Sequence, residues 1–194
     1  TLPCGLNVIP CTGNFDIKTI GNGIVQAATT PYHGFWGDAR MQILFRASEL
    51  QAMGMQAGTI TDVAFDVSSQ ASTQPYNNFT IKMGCTNLNE LSNYVSALPV
   101  VLLDTAYTVT GTGYNNHTLD NPYDWDGQSN LIVEVCFSNP SFTGDDNVNG
   151  TATGFNSVLY NIMDNSPGCN LTGPTIDQLR PNVQFVYCIA PPKN

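Results

Sequence analysis

Short runs of alternating apolar and polar residues recur along the chain, separated by clusters of glycine, asparagine and proline. This pattern constrains the fold most, because alternation with a period of two is typical of β-strands and the separating residues favour turns. In one run, Val63 and Phe65 fall on one face while Asp62 and Asp66 fall on the other. Strands are predicted at 40–46, 59–67, 78–85, 99–104, 106–111, 117–123, 130–137, 157–163 and 181–188.

One short helix is predicted at about 47–54, where Ser48 can cap the first turn and Gly54 can end the last. The run 130–137 is apolar on both faces except at Glu134, which is typical of a central strand covered on two sides. We therefore predict an all-β protein, an antiparallel β-sandwich of jelly-roll type with this one helix.

The chain length of 194 residues suits one domain, so residues 1–194 are predicted to form a single β-sandwich domain. Both ends carry prolines and lack the strand pattern. We expect 1–30 to be an N-terminal extension or clasp and 189–194 to be a linker-like tail.

Composition excludes several function classes. The net charge is −9, with fifteen acidic residues against six lysines and arginines. Few cations are therefore present to neutralise phosphates, which argues against nucleic-acid partners and against docking on anionic membranes. No apolar stretch is long enough for a membrane span, so membrane insertion is not expected.

Six cysteines and only two histidines occur, with no C-x-x-C pair, which favours disulfides over a zinc site. Disulfides indicate an oxidising compartment, so an extracellular or cell-surface location is expected. Six cysteines allow fifteen pairings. Spacing favours Cys4–Cys11 and Cys169–Cys188, which leaves Cys85–Cys136.

The last of these pairs conflicts with the strand pattern. Cys85 shares the apolar face of its strand, whereas Cys136 lies opposite the face of Leu131 and Val133. The pair therefore requires a bulge, for which Gly84 is the candidate, or the pairing is different.

The residues needed for catalysis are sparse. Nucleophilic chemistry requires a base, and only His33 and His117 are offered, neither beside a recognisable nucleophile. Asp124 and Asp126 could act as paired carboxylates, but such pairs usually come from separate strands. No catalytic residues are assigned, and the protein is not expected to be an enzyme.

One segment offers ligands for a metal. Residues 143–154 contain carboxylate and amide oxygens of the kind that Ca²⁺ prefers, without the spacing of an EF-hand. A plain acidic loop between two strands is the alternative. The calcium candidates are Asp145, Asp146, Asn147 and Asn149.

Aromatic residues in loops could form flat platforms for sugars. Trp36, between Phe35 and Gly37 in a glycine-rich loop, is the strongest candidate for exposure. Trp125 precedes an Asp-Gly turn, where an aromatic residue often plugs a hydrophobic corner instead. The predicted ligand-binding residues are Trp36, Tyr32, Tyr123 and Trp125.

Four stretches resemble a known module in the same order: "GDARMQILFRASELQAMGMQAGTITDVAFDV", "NNFTIKMGCTN", "NPYDWDGQSNLIVEVCFSN" and "RPNVQFVYC". The chain is similar over 32–188 to a jelly-roll-like β-sandwich module of secreted, surface-exposed multidomain proteins of Bacteroidetes-type bacteria, which are substrates of type IX secretion. The resemblance implies adhesion, carbohydrate contact or spacing, and it implies no catalytic residues. Gly113 and Tyr114 stand where the module usually has Gly-Trp.

These observations predict a non-catalytic extracellular adhesion or binding module of a cell-surface or secreted bacterial protein. Its expected partners are glycans or surface proteins. Two alternatives remain open at this point: a calcium-dependent carbohydrate-binding module, and a structural subunit of a surface filament that self-associates through edge strands or termini.

Overall fold

Strands dominate the structure because apolar side chains alternate with polar ones over most of the chain. The computed structural model describes residues 3–7, 10–27 and 29–189. Its strands are β1 (Gly5–Leu6), β2 (Phe15–Ile20), β3 (Val25–Gln26), β4 (Asp38–Phe45), β5 (Gly58–Ser69), β6 (Tyr76–Thr86), β7 (Val100–Tyr107), β8 (Gly113–Trp125), β9 (Asn130–Ser138), β10 (Asn147–Ala152), β11 (Val158–Met163), β12 (Thr175–Asp177), β13 (Leu179–Pro181) and β14 (Val183–Ile189).

Four nested antiparallel pairs define the architecture: β2 with β14, β4 with β9, β5 with β8, and β6 with β7. Folding this ribbon of pairs gives two facing sheets, one ordered β2-β14-β5-β8 and the other β4-β9-β6-β7. The first sheet also carries β1, β3, β10 and β13, and the second continues through β11 and β12. This is the nested pairing of a jelly roll, so the predicted antiparallel sandwich is confirmed.

The predicted helix is present as α1 (Ala47–Ala52), but its cap differs from the prediction. Arg46, not Ser48, precedes the first turn, and its N–H donates to the Glu49 carboxylate at 2.9 Å. The side chain of Asn130 accepts the Ala47 N–H at 2.7 Å. This is a tertiary contact that the local sequence does not predict. Gly54 follows with a φ of +80°, which suits glycine and ends the helical turn as expected.

Several strand boundaries differ from the prediction, and two of the differences have a clear local reason. Strand β7 covers most of the predicted run 99–104 and only the first two residues of the predicted run 106–111, and no glycine or proline separates the two runs. Residues 108–111 lie outside any strand, so the second predicted strand is wrong there. The segment 143–154 was expected to be a loop but contains β10, which is held in the sheet by the buried side chain of Val148.

Part of the N-terminal segment 1–30 belongs to the first sheet. Here β2 pairs with β14, and β3 pairs with β10. Of the predicted tail, residues 190–194 lie outside the described residues. Among the described residues, no helix is both long and apolar enough to cross a membrane.

The main hydrophobic core lies between the sheets, and β9 contributes Leu131, Val133 and Val135 to it. A smaller cluster on the outer side of the second sheet includes Leu44 and Ile132. Strand β9 is therefore buried on both faces, which confirms its prediction as a central strand.

Three disulfides connect Cys4 to Cys85, Cys11 to Cys188 and Cys136 to Cys169. All three predicted pairs are therefore wrong, because spacing along the chain does not report which side chains meet across the sheets. The strand pattern was the better guide: Cys85 points into the sandwich and Cys136 points outward.

The fold itself selects these partners. β1 pairs with β8 at Tyr123, whose hydroxyl accepts the Cys85 N–H at 3.0 Å, so Cys4 comes to lie beside Cys85. On the outer side of β9, Cys136 meets Cys169 in a short 3-10 helix (Gly168–Asn170).

Candidate ligand-binding site

Three loops meet at one end of the sandwich. In the register of the second sheet, Asp38 at the start of β4 lies opposite Ser138 at the end of β9 and Met163 at the end of β11. The segments 29–37, 139–146 and 164–167 therefore emerge side by side. Backbone bonds join the first two, from Thr143 N–H to Gly34 O and from Asn139 N–H to Gly37 O, each 2.7 Å long.

Three aromatic side chains on these loops face solvent. Their exposed fractions are 60% for Phe35, 39% for Trp36 and 67% for Phe142. The Phe35 ring centroid lies 6.1 Å from that of Trp36 and 6.2 Å from that of Phe142. We call these three side chains the aromatic rim. A contiguous group of large exposed apolar residues is typical of a binding surface.

A cleft of about 200 Å³ adjoins the rim through Phe142. Its wall includes the polar residues Asn139, Ser141, Asp164 and Asn165. Asp164 accepts the Gly37 N–H at 2.8 Å, which fixes the backbone just after Trp36. The cleft thus combines hydrogen-bonding groups with an apolar margin.

Asn139 is the most informative residue of the cleft. Its Oδ1 accepts the Asn77 N–H at 2.7 Å, which orients the side chain. Its Nδ2 is buried and has no hydrogen-bond partner among the described residues. An unpaired buried donor costs about 1–3 kcal/mol, which makes Asn139 an exception among the buried polar groups of the protein.

Polar contacts of half-buried side chains hold the loops in position. The Asp145 carboxylate accepts the Phe35 N–H at 2.7 Å and lies 3.0 Å from Nδ1 of His33. Burial opposes its ionisation, but these two partners outweigh burial and lower the pKa of Asp145. The rim backbone is therefore fixed before any ligand arrives.

Asp146 anchors the neighbouring loop from inside the protein. Its carboxylate accepts the N–H groups of Ala71 and Ser72 at 2.7 and 2.8 Å, and the Tyr76 hydroxyl at 3.0 Å. The same hydroxyl lies 2.9 Å from the carbonyl oxygen of Tyr32. This network ties the segment 70–76 to the base of the aromatic rim.

The four predicted calcium ligands do not form one cluster. Asp145 and Asp146 bind the two different sets of groups just described. The amide of Asn147 donates to Ser69, and that of Asn149 donates to Asp66. The four side chains therefore serve separate structural contacts: Asp145 and Asp146 precede β10, and Asn147 and Asn149 bond to side chains of the neighbouring strand β5.

A metal site needs several ligand atoms close together. In the described part of the chain, one group of three His, Cys, Asp or Glu side chains has its ligand atoms within 4.8 Å of one another. It comprises Cys4, Cys85 and Asp126. Cys4 and Cys85 form a disulfide, so they offer no thiolate for metal binding.

Of the predicted ligand-binding residues, only Trp36 is exposed at the rim. Tyr32, Tyr123 and Trp125 are buried in the main core and present no ring face to solvent. Trp125 plugs the sandwich corner, and its indole N–H donates to the Ser129 carbonyl at 2.8 Å. Burial explains why these three residues stabilise the fold instead of lining the cleft.

The acidic corner around Trp125 is a turn. Asp126 accepts the N–H groups of Gln128 and Ser129 at 2.8 and 2.7 Å, and Gly127 adopts a φ of +78°. Burial by itself would raise the pKa of Asp126, but these hydrogen bonds outweigh burial and lower it. Asp124 accepts a hydrogen bond from Thr59 instead, so the two carboxylates have separate partners.

The two histidines have different environments. His33 is half-buried beside Asp145, whereas His117 is buried in the core, where Nε2 lies 2.7 Å from the Tyr32 hydroxyl. Burial lowers the pKa of His117 to about 3. His117 therefore remains neutral at ordinary pH and acts as a packing residue.

Glu134 is buried, as its position in the central strand indicates. Lys82 and Arg40 each approach its carboxylate to 2.8 Å, and the Arg40 guanidinium lies 4.2 Å from the Tyr94 ring centroid. Two cations neutralise this one carboxylate. The group is a structural ion network beneath the loop that carries Tyr94.

Sequence reasoning missed Phe142, Asn139 and Asp164. Phe142 follows the turn-forming Asn-Pro-Ser sequence and precedes Gly144, the same kind of loop setting that singled out Trp36. Applied to every aromatic residue, that signal would have found it. No local pattern reports that Asn139 leaves a donor unpaired, because the fact depends on the surrounding loops.

Comparisons with known proteins give no significant match to a family model, a curated protein or a solved structure. The resemblance to a secreted bacterial module therefore remains a prediction. The fold and the site define the protein as an antiparallel jelly-roll sandwich with three disulfides and, at one end, a polar cleft beside an aromatic rim.

Proposed function

We propose that the protein is a non-catalytic extracellular binding module whose ligand is a glycan held at the aromatic rim and its cleft. The observation that carries this proposal is the group of exposed aromatic rings beside a polar cleft, whose wall includes Asn139 with its unpaired Nδ2. Three disulfides support an oxidising location.

The chemistry of the site fits a sugar. Exposed aromatic faces can pack against the apolar C–H face of a pyranose ring, while amide, hydroxyl and carboxylate groups exchange hydrogen bonds with its hydroxyls. At about 200 Å³, the cleft is smaller than the roughly 300 Å³ at which pockets for drug-sized ligands begin. The expected ligand is therefore one sugar residue of a longer chain.

The test begins with a glycan array probed with the intact, disulfide-bonded protein. The strongest hit is then titrated by calorimetry against Trp36→Ala and Asn139→Asp. The first variant removes a platform, and the second keeps the acceptor for Asn77 but removes the donor. Each is expected to weaken binding roughly tenfold, as loss of a central contact does.

Phe15→Ala is the matched control, because Phe15 is as exposed as Phe35 and lies on β2, outside the rim. Its affinity per site should equal that of the unaltered protein. A blank array would refute the glycan proposal. Equal affinities for all variants would place binding elsewhere on the molecule.

A further inference from the structure

Strand β2 forms an edge of the first sheet. Within the described residues it pairs with β14 alone, so its other edge has no strand partner. The N–H of Ile17 on this free edge is bonded at 2.8 Å to the carboxylate of its own neighbour, Asp16. Edge strands in this condition are ready templates for pairing with another chain.

The two faces of β2 differ in character. Phe15 and Ile17 point to one side with exposed fractions of 60% and 58%. Asp16 and Lys18 point to the other side and form an ion pair of 3.0 Å. The strand therefore offers an apolar row and a charged row along the same free edge.

We propose that β2 pairs antiparallel with β2 of a second copy of this chain, centred on Ile17, to form a twofold dimer. The sequence "FDIKTI" is complementary to itself in this register. Ile17 lies opposite Ile17 of the second copy, Asp16 lies opposite Lys18, and Phe15 lies opposite Thr19. An isologous interface requires this kind of self-complementarity.

The register uses both rows. On one face, each Asp16 meets a Lys18 across the twofold axis, and opposite charges across strands stabilise a sheet. On the other face, the Phe15 and Ile17 side chains of the two copies form one apolar cluster that leaves water. In the dimer, each Ile17 N–H gives up its hydrogen bond to the Asp16 carboxylate and donates to the Ile17 carbonyl of the second copy.

Strand β7, one of the two edge strands of the second sheet, is less suited to self-pairing. The N–H groups of Leu103 and Ala106 in β7 donate to the side chains of Asp120, which lies on β8, and of Asp104. Asp104 is the sole charged residue of that strand, so no lysine or arginine is present in β7 to pair with it in a second copy.

Charge reversal tests the proposed register. Sedimentation equilibrium over a range of concentrations should show the unaltered protein dimerising. Asp16→Lys sets two like-charge pairs across the axis and is expected to raise the dimer dissociation constant roughly tenfold. The double exchange Asp16→Lys with Lys18→Asp recreates opposite charges and should restore dimerisation.

A second variant, Ile17→Thr, keeps a β-branched residue but removes the central apolar contact, and it should also weaken the dimer. Ile24→Thr is its control, because Ile24 is exposed outside β2. Circular dichroism checks that each variant is folded. A protein that stays monomeric throughout, an unaltered Asp16→Lys dimer, or failure of the double exchange to restore pairing would each overturn the proposal.

Discussion

Buried polar side chains set the geometry at the rim end of the molecule, and each does so through a specific partner. Asp146 holds two backbone N–H groups and a tyrosine hydroxyl, while Asn139 holds one N–H and leaves a donor free. His117 packs nearly parallel to the Phe79 ring, with the two ring centroids 4.9 Å apart. These side chains are buried, so a change in their charge alters the free energy of unfolding directly.

His117 predicts a pH dependence of stability. Its pKa is about 3 in the folded protein against an ordinary value of 6.5, so the unfolded chain binds the extra proton between these values. Its stabilising contribution is fully present above pH 6.5 and is lost progressively as the pH falls toward 3. The maximum slope is about 1.4 kcal/mol per pH unit.

Urea unfolding at pH 7.5, 5.5 and 4.5 measures this slope. His117→Gln keeps an acceptor for the Tyr32 hydroxyl but cannot titrate, so its stability should vary less between pH 6.5 and 4.5. Equal slopes for the unaltered protein and His117→Gln would contradict the assignment.

At the scale of elements, disulfides connect parts that are remote in the chain but adjacent in the fold. Cys4 and Cys11 fasten the N-terminal segment to β6 and β14, and Cys136 fastens the 3-10 helix to the outer face of β9. The main-chain approach there is close: a Cβ on Gly168 would lie 2.0 Å from the Phe137 carbonyl oxygen. The disulfide and this glycine together allow the segment to pack against β9.

Removing the Cys136–Cys169 bridge should therefore destabilise the protein measurably. The cysteines are 33 positions apart, and the chain-entropy model gives roughly 4 kcal/mol for a loop of that size. The double variant Cys136→Ala with Cys169→Ala should lose about that much in urea unfolding. Peptide mapping without reduction checks the pairing itself, and finding Cys169 joined to Cys188 would contradict the structure.

For the whole molecule, the orientation of β2 relative to the rim has a functional consequence. In the register of the first sheet, Ile20 of β2 lies beside Val183 of β14, and Val183 lies beside Phe65 of β5. From Phe65, β5 continues toward the rim end of the sandwich, so Ile20 marks the end of β2 that is nearer to the rim. Phe15 lies at the opposite end, beside Cys188. An antiparallel β2 pair therefore directs the two aromatic rims to opposite ends of the dimer.

Such a dimer would bridge two glycan-bearing surfaces, a prediction that depends on both proposals above. Beads coated with the glycan identified by the array should agglutinate with the unaltered protein. Asp16→Lys should lose agglutination while calorimetry shows unchanged affinity per site, and the double exchange should regain it. Agglutination by a variant shown to be monomeric would rule out bridging through β2.

Much of the fold could be predicted because its signals are local. Alternation placed β4, β5, β6, β9 and β14 within a few residues of their observed bounds, and the doubly apolar run marked β9 as central. At the candidate site the sequence predicted Trp36, whose glycine-rich loop indicated exposure, and the same signal could have found Phe142. Tyr123 and Trp125 carry similar local signals, yet the packing of the two sheets buries them.

The sequence by itself determined the all-β class, the faces of the strands and the opposed directions of Cys85 and Cys136, because these depend on neighbours one or two positions away. Only the tertiary structure decided which cysteines pair, which aromatic rings remain exposed and that the Nδ2 donor of Asn139 has no hydrogen-bond partner. Those outcomes depend on strands distant in the chain meeting in one register, and the free energy of packing the two sheets selects that register.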